Sequence, residues 1–340
     1  MPSFESEIII HITRGPLVES VHRGHVAVVD TTGKVLQILG DPELVTYARS
    51  TAKLIQSIPV LESGAANAYK LNDREIAVLC ASHSGEPFHV DAVHSILRKM
   101  GATDDQLQCG PHYPFNRAIA NRMKETGIKP GRVHNNCSGK HTGMLILARH
   151  LGVSSTHYMD PAHPVQHAML AAVADMCDTA VADVALGTDG CGVPVFGLPL
   201  SRLALAYARL GKPDGLPEPR AAACRRIMAS IAGNPLYVAG TDRFDTRLIE
   251  VSQGRLIGKY GAEGVFLLSV PARGWGIAVK VEDGAERALY PAVLEALSQL
   301  GLLSADELAQ LAEFRRPEQR NWAGTPVGFI EPVFRLRPRE

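Results

Sequence analysis

His25-Val-Ala-Val-Val-Asp30, then Thr31-Thr-Gly33, then Lys34-Val-Leu-Gln-Ile-Leu39 makes two short apolar runs joined at a glycine. Runs rich in β-branched residues with a glycine turn between them form hairpins, so the chain opens in antiparallel sheet. Upstream, Glu7 to Arg14 reads as a further strand. Downstream the period changes: Ser50-Thr-Ala-Lys-Leu-Ile-Gln56 starts on a capping residue and spaces Ala52, Leu54, Ile55 and Ile58 as a helix does.

The remaining pattern alternates in the same way. Ile76 to Ala81 reads as a short buried strand, and His89 to Met100 as an amphipathic helix closed by Gly101. Asn135-Asn-Cys-Ser-Gly-Lys-His-Thr-Gly143 is a polar turn running into the helical spacing Met144, Leu145, Leu147, Ala148, Leu151, which stops at Gly152. Further helices are expected at Pro164 to Cys177, Ser201 to Leu210, Glu218 to Ile231, Glu286 to Leu300 and Ala305 to Phe314. Strands are expected at Asp245 to Ser252, Arg255 to Lys259, Val265 to Ser269 and Trp275 to Val281, with a hairpin at Gln253-Gly254. The loop Gly211 to Pro219 is the best linker. The reading is an α+β fold: a central antiparallel sheet of N- and C-terminal strands backed by helices, with a helix-rich lobe inserted within about residues 89–240 of one unit spanning 1–340.

Length and composition agree with a soluble, globular chain. With 340 residues, 46% hydrophobic and 21% charged, it can bury a large core. Lysine plus arginine total 35, as do aspartate plus glutamate, so no net positive field draws it to nucleic acid or an anionic membrane. No run of about 18 apolar residues exists to span a bilayer. The start, Met-Pro-Ser-Phe-Glu-Ser-Glu, lacks the basic residues of a secretory signal, which predicts a cytoplasmic protein. The six scattered cysteines, Cys80, Cys109, Cys137, Cys177, Cys191 and Cys224, fit reduced thiols better than a disulfide framework.

Four short stretches carry chemistry. Ser50-Thr-Ala-Lys53 has the Ser-x-x-Lys spacing that puts an amine and a hydroxyl on one helical face, where the amine can take the serine's proton if burial or a second cation keeps it neutral. Such a match also arises by chance in a chain this long, as a capping serine and a surface lysine. In Cys80-Ala-Ser-His-Ser-Gly-Glu86, Ser82 and Ser84 are candidate nucleophiles or relays, against the plainer reading of a serine-rich turn that satisfies itself. Asn136-Cys-Ser-Gly-Lys-His141 looks like a phosphate-cradling loop but lacks the P-loop spacing. Its Cys137 and the Cys191 of Gly187-Thr-Asp-Gly-Cys-Gly-Val-Pro194 could meet at zinc, with nitrogen from Lys140 or His141. His22 and His25, beside Glu19, are a weaker metal candidate and read first as solvated or core-satisfied histidines.

Taken in order, Arg14-Gly-Pro-Leu-Val-Glu-Ser-Val-His22, Ala48-Arg-Ser-Thr-Ala-Lys53, Cys80-Ala-Ser-His-Ser-Gly-Glu86, Asn136-Cys-Ser-Gly-Lys-His-Thr-Gly-Met144, Gly187-Thr-Asp-Gly-Cys-Gly-Val-Pro194 and Gly258-Lys-Tyr-Gly-Ala-Glu-Gly264 resemble the L-asparaginase II family of the Rhizobium etli type, also called class 3. The resemblance spans about residues 7–335. It implies a fold like that of serine β-lactamases and glutaminases, a homodimer, and hydrolysis of L-asparagine to L-aspartate and ammonia. Its catalytic Ser-Lys tandems would be Ser50 with Lys53 and Ser82 with Lys259. Its zinc ligands would be Cys137, Lys140 and Cys191, and Arg49, His141 and Asp189 would contact the substrate. Gly192 departs from the asparagine that some members carry after the second cysteine.

Two competing readings remain at this point. A glutaminase or other serine amidohydrolase on the same fold differs by as little as one substrate methylene, worth about 1–3 kcal/mol of discrimination. A β-lactam hydrolase would need the Ser-Asp-Asn and Lys-Thr-Gly companions of Ser-x-x-Lys, which are missing. A non-catalytic metal- or amino-acid-binding homologue would keep the fold without the chemistry.

Overall fold

The computed structural model describes residues 6–339, and these fall into two compact units. One holds the described residues through Thr51, Leu198–Lys212 and the described residues from Arg247 on; the other holds Ala52–Gly197 and Pro213–Thr246.

The first unit is built on an antiparallel sheet. Its strands run in the spatial order Glu318–Arg320, Pro326–Pro332, Glu7–Arg14, Leu17–Asp30, Trp275–Val281, Val265–Val270, Ile257–Gly261. Val35–Leu39 pairs with Leu17–Asp30 through the expected hairpin, with Val26 opposite Leu39 and Val29 opposite Val35. Every residue of Val265–Val270 is buried, so both faces of the sheet are covered. The helices Leu200–Gly211 and Glu286–Gln299 pack against it. Gly276 allows the first of these to come close, because a Cβ there would meet the Ala204 carbonyl oxygen at 1.8 Å.

The second unit is mainly helical. Its helices include Lys53–Gln56, Ile58–Glu62, Asp73–Leu79, Pro87–Lys99, Arg117–Glu125, Ser138–His150, Pro164–Met176 and Glu218–Gly233, with a hairpin of Ala185–Thr188 against Pro194–Pro199. Arg220 clamps three of them, placing Nε and Nη2 each 2.8 Å from a Glu62 carboxylate oxygen and a third nitrogen on Asp175. No helix among the described residues is long and apolar enough to cross a membrane.

The α+β class and central antiparallel sheet are as expected, but several elements are not. Ile76 to Ala81 is no strand. Asn72 and Glu75 close a capping box, Asn72 Oδ1 accepting from Glu75 N–H and Glu75 Oε2 accepting from Asn72 N–H, and this starts the helix Asp73–Leu79. Asp245 to Ser252 is likewise helical, as Phe244–Val251. Gln253-Gly254, at φ +52° and +74°, ends that helix with Gly254 N–H bonded back to the Ile249 carbonyl, rather than turning a hairpin. The helix expected from Ser50 is interrupted. A 3-10 turn, Arg49–Ala52, precedes Lys53–Gln56, and Pro59 opens the next helix. Ala305 to Phe314 is split into Ala305–Gln310 and Ala312–Arg315.

Candidate active site

The site begins where helix Asp73–Leu79 ends. Ala81 to Ser84 then runs outside helix or strand between two other segments. On one side Ser82 N–H donates to the Val238 carbonyl (2.9 Å) and Ser84 N–H to that of Ala239 (2.8 Å); on the other, His83 N–H donates to the Asn136 carbonyl (3.2 Å). Ser84 spends its hydroxyl on Ala239 O at 2.8 Å, so it is committed to holding this segment. Ser82 is not committed in this way.

Opposite Ser82 stands Lys53, wholly buried at the start of helix Lys53–Gln56. Its Nζ lies 2.7 Å from the Ala81 carbonyl oxygen, 2.9 Å from Ser82 Oγ and 3.5 Å from the Asn136 carbonyl oxygen. A neutral amine placed there has two N–H bonds for the two carbonyls and one lone pair for the serine O–H. The arrangement suits a proton transfer between these two side chains.

Two buried histidines brace the serine segment. His83 Nδ1 accepts from Gly85 N–H (3.2 Å), which leaves Nε2–H to meet Ser138 Oγ at 2.9 Å. His89 Nδ1 accepts from Glu86 N–H, and its Nε2–H donates to the Leu236 carbonyl at 3.0 Å. The rings stack 4.9 Å apart. Burial, then the charge of the neighbouring ring, holds His83 well below the usual histidine range, and burial lowers His89 to about 4. Glu86 in turn accepts from Thr241 N–H and Oγ1–H, at 2.8 and 2.7 Å.

The helix Ser138–His150 carries the second group. It approaches helix Asp73–Leu79 so closely that a Cβ on Gly139 would lie 2.0 Å from the Val78 carbonyl oxygen, while Gly143 one turn on faces Leu79 and Val60. The glycines of this motif therefore serve helix packing. Just before the helix, Asn135 Oδ1 accepts from Cys137 N–H at 2.8 Å and fixes the turn. The hairpin turn at Gly192 (φ +92°) presents Asp189 and Cys191.

Here the thiols meet. The Sγ atoms of Cys137 and Cys191 and an Asp189 carboxylate oxygen all lie within 4.8 Å of one another. Lys140 Nζ is 3.1 Å from Cys191 Sγ and 3.7 Å from Asp189 Oδ2, with both lysine and thiol buried. The hydrogen bond from Cys137 brings the Cys191 thiol down to about 5 against the effect of burial, and the Lys140 charge acts in the same direction. The same bond, then burial, pushes Cys137 up to about 12. Burial opposes the charge on Lys140, but the two sulfurs and Asp189 outweigh it and raise its pKa. All six cysteines are free and buried, and burial pushes Cys109 and Cys224 up to about 12, as inert thiols.

His141, also wholly buried, is not in the cluster with the thiols. Its Nδ1 sits 2.7 Å from the Tyr158 hydroxyl, and burial together with the Lys140 charge lowers its pKa to about 3.

The remaining expected residues lie in the sheet unit. Arg49 has φ +49° and a guanidinium nitrogen 3.8 Å from Glu263 Oε1. Ser50 is half-buried, and the buried Lys259 amine donates to the Tyr260 carbonyl at 3.0 Å. His22 and His25 are core-satisfied: His22 Nδ1 bonds Asp283 at 2.7 Å and its Nε2 accepts from Arg287 Nε, while His25 Nδ1 accepts from Asp41 N–H.

The resemblance pairs Ser50 with Lys53 and Ser82 with Lys259; the structure places Lys53 Nζ beside Ser82 Oγ as well, joining one member of each pair. Sequence reasoning also passed over the Asn136 carbonyl, which receives both Lys53 and His83, and Tyr158, which no local pattern marks.

A family model described as L-asparaginase II matches residues 10–332. No curated protein sequence matches the chain. Among solved structures, similar ones include a β-lactamase from Mycobacterium bovis (15% identity, 82% of this chain and 95% of that one, TM-score 0.43), Mglu in its native form (16%, 84% and 63%, 0.39) and a Bacillus glutaminase (13%, 83% and 92%, 0.36).

Proposed function

Because this chain belongs to the L-asparaginase II family, we propose that it is an amidohydrolase of the Rhizobium etli type, acting in the cytoplasm as a homodimer to convert L-asparagine to L-aspartate and ammonia by serine chemistry. One observation carries the reading: the buried Lys53 amine 2.9 Å from Ser82 Oγ. Lys53 takes the hydroxyl proton, and Ser82 Oγ attacks the side-chain amide carbon of the substrate. The proton passes to the departing nitrogen, ammonia leaves, and water cleaves the resulting ester to release aspartate and restore the serine. Arg49 takes the α-carboxylate, His141 and Asp189 make further substrate contacts, and Ser50 and Lys259 supply the second hydroxyl and amine, all roles taken from the family resemblance.

The donor set suits zinc. Two sulfurs, one of them a thiolate beside an amine, are what a borderline-soft cation accepts, and Cys137, Lys140 and Cys191 would hold it with Asp189 within reach. His141 fits less well, since its ring nitrogens are not among the donor atoms that meet within 4.8 Å of one another. When bound, the metal supplies positive charge for the substrate's polar groups.

Ammonia release from L-asparagine, with L-glutamine as comparison, tests the proposal. Turnover is expected with asparagine and a fall of several orders of magnitude in kcat for Ser82→Ala. Binding without turnover would leave the non-catalytic reading, and a wild-type rate in Ser82→Ala would remove Ser82 from the chemistry.

A further inference from the structure

Tyr158 carries no role in the mechanism above, yet it is wholly buried and held at both ends. Gln108 N–H donates to its hydroxyl oxygen at 2.9 Å, and Gln166 Nε2 donates to its backbone carbonyl at 2.8 Å. The hydroxyl reaches His141 Nδ1 at 2.7 Å, the two rings meeting edge-on with centroids 5.6 Å apart. The other ring nitrogen, His141 Nε2, is buried and has no partner.

Only two proton arrangements are open to this neutral pair. If His141 Nδ1 carries the proton and donates to Tyr158, the tyrosine oxygen receives two N–H bonds, its own O–H has nowhere evident to go, and the Nε2 lone pair is stranded as well. If Tyr158 donates its O–H to Nδ1, its oxygen is satisfied by Gln108, Nδ1 is satisfied by Tyr158, and a single group is left over, the Nε2–H. A buried polar group without a partner costs free energy, so the second arrangement wins by leaving fewer of them.

We infer that Tyr158 is a positioning residue that fixes the tautomer of His141, so that Nε2 is an N–H donor kept for a carbonyl or carboxylate oxygen of the substrate. This deepens the proposed function and rests on it for the identity of the substrate. A metal ligand needs a lone pair on nitrogen, and this tautomer presents a hydrogen at the one open position. Tyr158 thereby keeps His141 for the substrate and leaves the cation to Cys137, Lys140 and Cys191.

The test reads the tautomer first. In the wild-type protein labelled with nitrogen-15 at histidine, the His141 signals are identified by their loss in His141→Gln. The expected spectrum has a bare Nδ1 and a protonated Nε2; a protonated Nδ1 overturns the inference whatever the enzyme does to asparagine. Tyr158→Phe keeps the ring and removes the O–H. It should bring Nδ1–H into the spectrum and lower kcat/KM for L-asparagine about tenfold, with circular dichroism and bound zinc unchanged. An unchanged tautomer in Tyr158→Phe would also overturn it. If the tautomer shifts while no asparagine turnover exists even in the wild type, the fault lies with the substrate reading and the positioning role stands.

Discussion

The Lys140 amine rests 3.1 Å from Cys191 Sγ, an ammonium held against a thiolate in a place almost without water. Cys137 and Asp189 add a second sulfur and a carboxylate within 4.8 Å, the donors to which the proposed zinc would bind with release of a proton. Metal analysis should find about one zinc per chain in the purified protein. It should be lost in Cys137→Ser and Lys140→Ala and retained in His141→Ala. Equal zinc in Cys137→Ser and the wild type would rule the site out.

Lys53→Arg should be inactive. A guanidinium stays protonated at any working pH, so it could occupy the pocket between Ala81 and Asn136 and still fail to accept the Ser82 proton. Steady-state kinetics checks this, and activity within tenfold of wild type would rule out Lys53 as the base.

The stacked pair His83 and His89 should make the protein acid-sensitive. His89 has a folded pKa of about 4, below its unfolded value of about 6.5, so the unfolded chain binds the extra proton between those two pH values. Stability should therefore fall as pH drops from about 6.5 to 4, with His89 contributing on the order of 3 kcal/mol over the full window. Denaturant unfolding across that range should show the slope, and His89→Gln should flatten it.

Gly139→Ala should lose stability out of proportion to one methyl group. The new Cβ would collide with the backbone carbonyl of Val78, which no rotamer can relieve, so the two helices must part at a cost of about 1–3 kcal/mol or more. Thermal unfolding checks this. An unchanged Tm would mean the helices have room to spare.

Most of the sheet was legible because its strands announce themselves locally, while Glu318–Arg320 and Pro326–Pro332 at one edge went unread. Trp275–Val281 and the hairpin after His25 alternate or run apolar between glycine turns, and their register follows. Ile76–Ala81 was misread because six apolar residues fit a buried strand and a buried helix equally well; the deciding signal, Asn72-Asp-Arg-Glu75, lay just upstream. The thiol cluster was legible as residue types, but the carboxylate of Asp189 joins it only through the hairpin turn at Gly192. The pairing of Lys53 with Ser82 was not legible, because it depends on where the helix Asp73–Leu79 ends, and 29 positions of chain separate the two. Tyr158 has no sequence signal at all, since its partner His141 is 17 residues away on another element.

Ala81 to Ser84 belongs to no helix or strand, yet its amides are tied on both sides to Val238, Ala239 and Asn136. Segments outside regular structure ordinarily trade their amide hydrogens with water first. Here the amide of Ser82, the proposed nucleophile, should surrender its hydrogen to deuterium about as slowly as the core helices do. Its backbone sits in a fixed frame, so in the proposed reaction the substrate amide is brought to Ser82, which has little freedom to swing toward it.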